Sequence, residues 1–338
     1  MKPNIFNYAT SELSQDAFIC WLIAWADKKN QSIDKRLYNT AICFVQELLG
    51  KNNSFVVENI QVGRSFPGIK NIDCWSIVNN KYFLLIEDKK GTVQHSGQLD
   101  KYKSAAEIYF KNSDISIMPI YFKMEEQGDY YTIVKKSGFS VFSRNKMLST
   151  LESYVNHSND KNDIINDYYE KLQELDRKIN SYKMLPIKDW DWWYSWQGFY
   201  FELQKHLKGE WNYVPNASRG FLGFRWHHKH TSINGEKFGF YLQLEYNKLV
   251  FKLYECSPNK RHEIRKLLRK FLYLKANELN IPIKQFGRIG NYMSVVILIG
   301  DYRIIDENGI LDFFGTLEKL KQNMNLLDEV EKEIKNNI

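Results

Sequence analysis

The sequence predicts an α/β fold for the first half of the chain, a mixed sheet flanked by helices, followed by a separate α+β region. Three observations lead there. Helical periodicity at the start gives way to three consecutive apolar runs of β type and then to another helical stretch. Asn79 and Asn80 sit between two of those runs, where a tight hairpin needs left-handed backbone. Near Asn156 the composition turns polar, and 338 residues exceed what one small core organises.

The elements follow in order. Phe18, Leu22 and Trp25 share a helical stripe in Ser11 to Lys28, with Thr10 or Ser11 placed to cap it. A second helix is expected over Asp34 to Leu49, ended by Gly50 and the polar run Lys51 to Ser54. Phe55 to Val62, Ile72 to Val78 and Tyr82 to Lys89 read as strands, and Gln98 to Phe110 as a helix. Ile115 to Phe122 and Tyr130 to Val134 read as further strands. The domain boundaries expected are 1–155 for the first domain, 156–185 for a helical linker containing Ile164 to Ile179, and 186–338 for the second domain. In the second domain, helices are expected at Trp190 to Leu207, Arg261 to Leu279 and Leu311 to Ile334. Strands are expected around Phe221 to His230, Phe238 to Tyr246, Leu249 to Glu255 and Met293 to Ile299.

Composition limits the function classes. No apolar run approaches a bilayer span, and the first residues lack the basic and apolar regions of a secretion signal, so a cytoplasmic location without membrane contact is expected. Cys20, Cys43, Cys74 and Cys256 lack paired spacing and read as reduced core residues. A net charge of +7 favours a polyanionic partner.

The chemistry concentrates around the Asn79–Asn80 hairpin. Pairing Val78 with Tyr82 and Ser76 with Leu84 brings Asp73 opposite Glu87. Opposed carboxylates with Cβ atoms ~5 Å apart repel unless a positive charge lies between them. A divalent cation meets that need, and hard oxygen ligands suit Mg²⁺, with Mn²⁺ as substitute. Lys89 shares the face of Glu87 because side chains two apart on a strand point the same way. An amine beside a metal stabilises charge on a phosphoryl group and assists the attacking water. The competing view is an ordinary solvated strand end at Glu87 to Lys90.

Asp73 followed by Glu87-Asp88-Lys89 resembles the PD-(D/E)xK nuclease superfamily, with Ile72 in place of the proline before the first acid. The resemblance implies a restriction-endonuclease-like sheet, metal held by Asp73 and Glu87, and Lys89 at the attacking water. Gln98 and Tyr102 match the Q-x-x-x-Y pattern of its exonuclease-like branches, which implies contact near the nucleic-acid backbone. The stretch from Glu12 to Trp25 is similar to the opening helix of a bacterial subgroup whose helix acid completes the metal site. That makes Glu12 the third expected catalytic and metal-binding carboxylate, ahead of Gln15 and Asp16. The resemblance covers about Ser11 to Tyr102 and leaves out the second half.

In the second half, Arg261, Arg265 and Arg269, with Lys266 and Lys270 beside them, form a basic helical stripe that could track phosphates. A solvated face opposite Ile264, Leu267, Leu268 and Phe271 is the plainer reading. Trp193, Trp196, Tyr200 and Leu203 share a stripe expected in the core. His227, His228 and His230 lack a zinc-like ligand set, so no metal is expected there. Together these features lead to Mg²⁺-dependent hydrolysis of DNA, with restriction or anti-phage defence as a setting. A non-cleaving nucleic-acid sensor and an RNA nuclease are the alternatives, and homodimerisation is left open.

Overall fold

Local signals decide where the first helices begin and end. In the computed structural model, which describes residues 3–9, 11–67, 69, 72–89, 97–128, 134–156, 162–216, 220–233, 235–286 and 293–336, helix α1 (Glu12–Trp25) follows Ser11 and buries Phe18, Ile19, Leu22 and Ile23. Thr10 lies outside the described residues, and Trp25 is only half-buried. Helix α2 (Lys35–Leu49) is capped by Asp34, whose Oδ1 accepts from the N–H groups of Arg36 and Leu37 at 3.0 and 2.9 Å. Gly50, at φ 61°, ends it in the left-handed conformation that glycine tolerates best.

The chain divides into two units, Met1–Arg177 and Lys178–Ile338. Unit 1 is built on β1 (Ile60–Gly63), β2 (Cys74–Val78), β3 (Tyr82–Lys89), β4 (Ser116–Lys123) and β5 (Ser140–Ser143), in the order β1-β2-β3-β4-β5. The sheet is mixed. β1, β2 and β3 pair antiparallel, whereas β3, β4 and β5 pair parallel. Helix α3 (Gln98–Tyr109) makes the crossover that the parallel β3–β4 pair requires.

The hairpin has the expected register, Val78 against Tyr82 and Ser76 against Leu84, with Asn79 and Asn80 at φ 55° and 51°. Asn79 also ties down the preceding chain. Its side chain accepts from the Glu58 N–H at 2.8 Å and donates to the Val56 carbonyl at 2.8 Å. Those bonds hold residues 56–58 outside the sheet, so β1 starts at Ile60 and not at Phe55.

Strand alternation splits unit 1 into two cores. Leu84 and Ile86 pack with α1 and α2, while Phe83 and Leu85 pack with Leu99 and Tyr102 of α3. The sequence reading missed β5 and helix α4 (Arg144–Asn156). Arg144 is buried there, bonded to the Met124 carbonyl, Glu126 and Asp176 at 2.6, 2.9 and 2.9 Å, partners that no local pattern reveals. The strand expected over Tyr130 to Val134 lies outside the described residues except for Val134, which is helical. Helix α5 (Asp163–Asn180), read as part of a linker, instead places Ile165, Tyr168 and Leu172 in the unit 1 core.

Unit 2 carries helix α6 (Tyr194–Leu207), β6 (Glu210–Val214), β7 (Phe221–Ile233), β8 (Glu236–Glu245), β9 (Lys248–Tyr254) and helix α7 (Arg261–Glu278). β10 (Ile283–Gln285), β11 (Met293–Leu298), the short pair β12 (Ile304–Ile305) and β13 (Leu311–Asp312), and helix α8 (Phe313–Asn336) follow. Its main sheet is antiparallel, in the order β10-β11-β9-β8-β7-β6. Trp196, Tyr200 and Leu203 enter this core, with Trp193 packed at its margin. A bulge after Trp226 puts His227 at φ 56° and within 2.9 Å of Asp328. No described helix is long and apolar enough to cross a membrane.

Candidate metal centre

The C-terminal end of β3 brings together Asp73, Glu87 and Lys89. Asp73 immediately precedes β2 and is one step beyond the Cys74–Ile86 pair, which sets it opposite Glu87. The Asp88 N–H donates to Asp73 Oδ2 at 2.9 Å and fixes the orientation of that carboxylate. Lys89 Nζ lies 2.6 Å from Glu87 Oε1 and 3.9 Å from Asp73 Oδ2, and donates to the Asp88 carbonyl at 3.1 Å. Both Glu87 oxygens are buried, with the Lys89 ammonium against Oε1 and the Asp73 carboxyl facing them.

Electrostatics follow from this crowding. Burial, then the charge of Asp73, lifts the Glu87 carboxyl to about 8 against the opposing pull of Lys89. Asp73 is also raised by burial, although Lys89 and the Asp88 N–H oppose it. Burial pulls the Lys89 ammonium down, but Glu87 and Asp73 outweigh it and keep Lys89 above its usual value and charged. Two facing carboxyls of this kind share either a proton or a cation.

Helix α3 closes the same face. Gln98 Nε2 donates to the Tyr102 hydroxyl at 3.1 Å. Burial raises the Tyr102 phenol, and the charges of Glu87 and Asp73 raise it further, which places its ring within their electrostatic reach.

Glu12 stands at the start of α1. Strand alternation divides the acids of this end of the sheet between two faces. Helix α1 packs on the Leu84, Ile86 and Asp88 face of β3, whereas Asp73 and Glu87 are on the face that α3 covers. Half-exposed Glu12 contributes charge, raising Asp73, Asp16 and Asp88 alike.

A second acidic pair occupies the α1 face. Gln15 Nε2 donates to Asp88 Oδ1 at 2.5 Å, and Arg64 Nη2 donates to Asp16 Oδ2 at 3.0 Å. Burial and the charge of Asp73 lift Asp16 to about 7, with Arg64 opposing, while burial and Asp16 raise Asp88 well above the carboxylate range. Lys123, aligned with Lys89 on the neighbouring strand, is lowered to about 8 by burial, against the charges of Glu125 and Asp88. Sequence reasoning ranked Gln15 and Asp16 below Glu12 and passed over Asp88, Arg64 and Lys123. Asp88 had a signal, since an acid between Glu87 and Lys89 must face the opposite side of a buried strand.

The chain matches no family model, and no curated protein or solved structure is significantly similar to it.

In unit 2 the expected basic stripe is divided. Lys266 and Lys270 are exposed and Arg261 and Arg269 half-buried, but Arg265 is only 4 % exposed and packs on the side of Ile264 and Leu268. The five residues therefore do not form one evenly exposed face on α7, because Arg265 is buried.

Proposed function

We propose that unit 1 is a divalent-metal-dependent nuclease with a restriction-endonuclease-like sheet, and that DNA is its substrate. The observation that carries this reading is the buried Glu87 carboxyl facing Asp73, with the charged Lys89 close to both acids. Holding two facing carboxylates ionised out of water is costly, and a hard cation offsets that cost. Asp73 and Glu87 would hold Mg²⁺ or Mn²⁺, two carboxylates being enough for an ion that keeps several waters. When bound, such an ion polarises a phosphoryl oxygen and lowers the pKa of water.

The chain's own groups supply the remainder. The Asp88 N–H keeps Asp73 aimed into the site. The Lys89 ammonium sits where it stabilises added negative charge on phosphorus and orients an incoming water. Attack of water on phosphorus forms a new P–O bond and breaks the bond to the leaving sugar oxygen, and the motif resemblance implies 5′-phosphate products. Tyr102, held by Gln98, borders the site where a backbone phosphate would approach. Restriction or anti-phage defence is a fitting setting for this chemistry.

The test is incubation of the full chain with plasmid, linear duplex, single-stranded DNA and RNA, in Mg²⁺ or in EDTA. Cleavage of DNA only with metal, lost in Lys89→Ala, is expected. Cleavage in EDTA overturns the mechanism. Tight, metal-insensitive binding without turnover replaces it with a non-cleaving sensor, and preferential RNA cleavage changes the substrate.

A further inference from the structure

Helix α7 begins in an unusual electrostatic state. Its N-cap is Lys260, with no side-chain acceptor for the first N–H groups, and the only acid in its first turn, Glu263, is paired with Lys260 at 3.1 Å. The positive end of the helix dipole therefore coincides with Arg261, His262 and Arg265. Arg265 is 4 % exposed, its Nε and Nη1 have no hydrogen-bond partner, and it makes no ion pair with a described residue. Arg261 Nε is likewise buried and without a partner. Arg269, one turn further along, contributes repulsion, and burial together with that charge depresses the Arg265 guanidinium.

A guanidinium taken out of water without an anion is destabilising, and three arginines at four-residue spacing compound the effect. Arg261 and Arg269 each lie one helical turn from Arg265, so the three arginines share one side of α7. Planar guanidinium forks with unused N–H donors match the oxygens of a phosphate. We propose that Arg265, with Arg261 and Arg269, forms a phosphomonoester-binding site at the N-terminal half of α7. A phosphomonoester fits a buried guanidinium better than an internal phosphodiester, since it projects from the end of a strand or nucleotide and carries more charge. The proposal does not depend on the nuclease reading of unit 1.

Isothermal titration of the full chain in EDTA tests it, using inorganic phosphate, adenosine 5′-monophosphate, adenosine, and one oligonucleotide with either a 5′-phosphate or a 5′-hydroxyl. Binding of the phosphate-bearing probes and none of adenosine is expected, with at least tenfold weakening in both Arg265→Met and Arg269→Gln. Preference for the phosphorylated over the hydroxyl oligonucleotide identifies a strand end, and equal binding of the free nucleotide identifies a small ligand. Thermal denaturation without phosphate gives an independent readout. Arg265→Met is expected to unfold at a higher temperature than the natural chain, since it removes an uncompensated buried charge. No phosphate binding by the natural chain, or binding unchanged in Arg265→Met, overturns the proposal. A lower unfolding temperature in Arg265→Met also overturns it, because the arginine would then be a satisfied structural residue.

Discussion

Replacing Glu87 by glutamine separates the cost of its burial from its use as a ligand. Glu87 is 1 % exposed, and burial with the charge of Asp73 moves its carboxyl from 4.5 to about 8. The folded state therefore holds a proton that the unfolded chain releases above about 4.5. The associated stabilisation is complete below that value and is lost as pH rises toward about 8. At 1.36 kcal/mol per pH unit, metal-free protein loses on the order of 3 kcal/mol from this group between pH 5 and 7.5. Glutamine cannot ionise, so Glu87→Gln escapes the loss. Asp16 and Asp88 titrate in both proteins, so the difference between the two profiles reports Glu87 together with its partners Asp73 and Lys89. Urea unfolding across that pH range in EDTA measures the difference, and repetition with Mg²⁺ at pH 7.5 measures the ligand role. The natural protein is expected to gain stability from Mg²⁺ with release of a proton, and Glu87→Gln to show neither gain nor cleavage. A difference profile that stays flat from pH 5 to 7.5, or equal Mg²⁺ stabilisation of both proteins, refutes the reasoning.

Lys89→Met is expected to lower DNA cleavage by about 10²–10³-fold while leaving affinity for uncleavable DNA within a few-fold, as single-turnover rates and fluorescence anisotropy will show. Asn79→Ala removes the bonds to Glu58 and Val56 and places a Cβ-bearing residue at φ 55° without a compensating side chain. The expected cost is about 2–4 kcal/mol in urea unfolding, with Asn79→Gly recovering the backbone part, roughly 1–2 kcal/mol. Cys20 and Cys74 bring their sulfurs within 2.8 Å across α1 and β2, so diamide should oxidise this pair to a disulfide in unfragmented monomer. Peptide mapping that finds both thiols still alkylatable after diamide, with Cys43 oxidised instead, contradicts that expectation.

Much of unit 1 was legible because its signals are local. Asp34 and Gly50 mark the ends of α2, and the Asn79–Asn80 turn sets a register in which one slip would move every side chain to the wrong face. That register alone places Asp73 opposite Glu87 and Lys89 beside it. The extent of β1, the existence of β5 and the start of α4 depend on Asn79 and Arg144 bonding to distant backbone and acids, which leaves no periodic trace.

The sequence by itself determined the hairpin and therefore the convergence of Asp73, Glu87 and Lys89, since two-residue alternation and turn length are properties of the local chain. Only the tertiary structure decided that α1 covers the opposite face of β3. That choice turns Gln15 and Asp16 toward Asp88, with Glu12 adding its charge to the same acids. It also decided that Arg265 is buried, where its repeat pattern alone suggested a solvated stripe. The physical reason is the same in both cases. Burial and pairing of a charge depend on which surface packs over it, and that surface comes from residues far away in the chain.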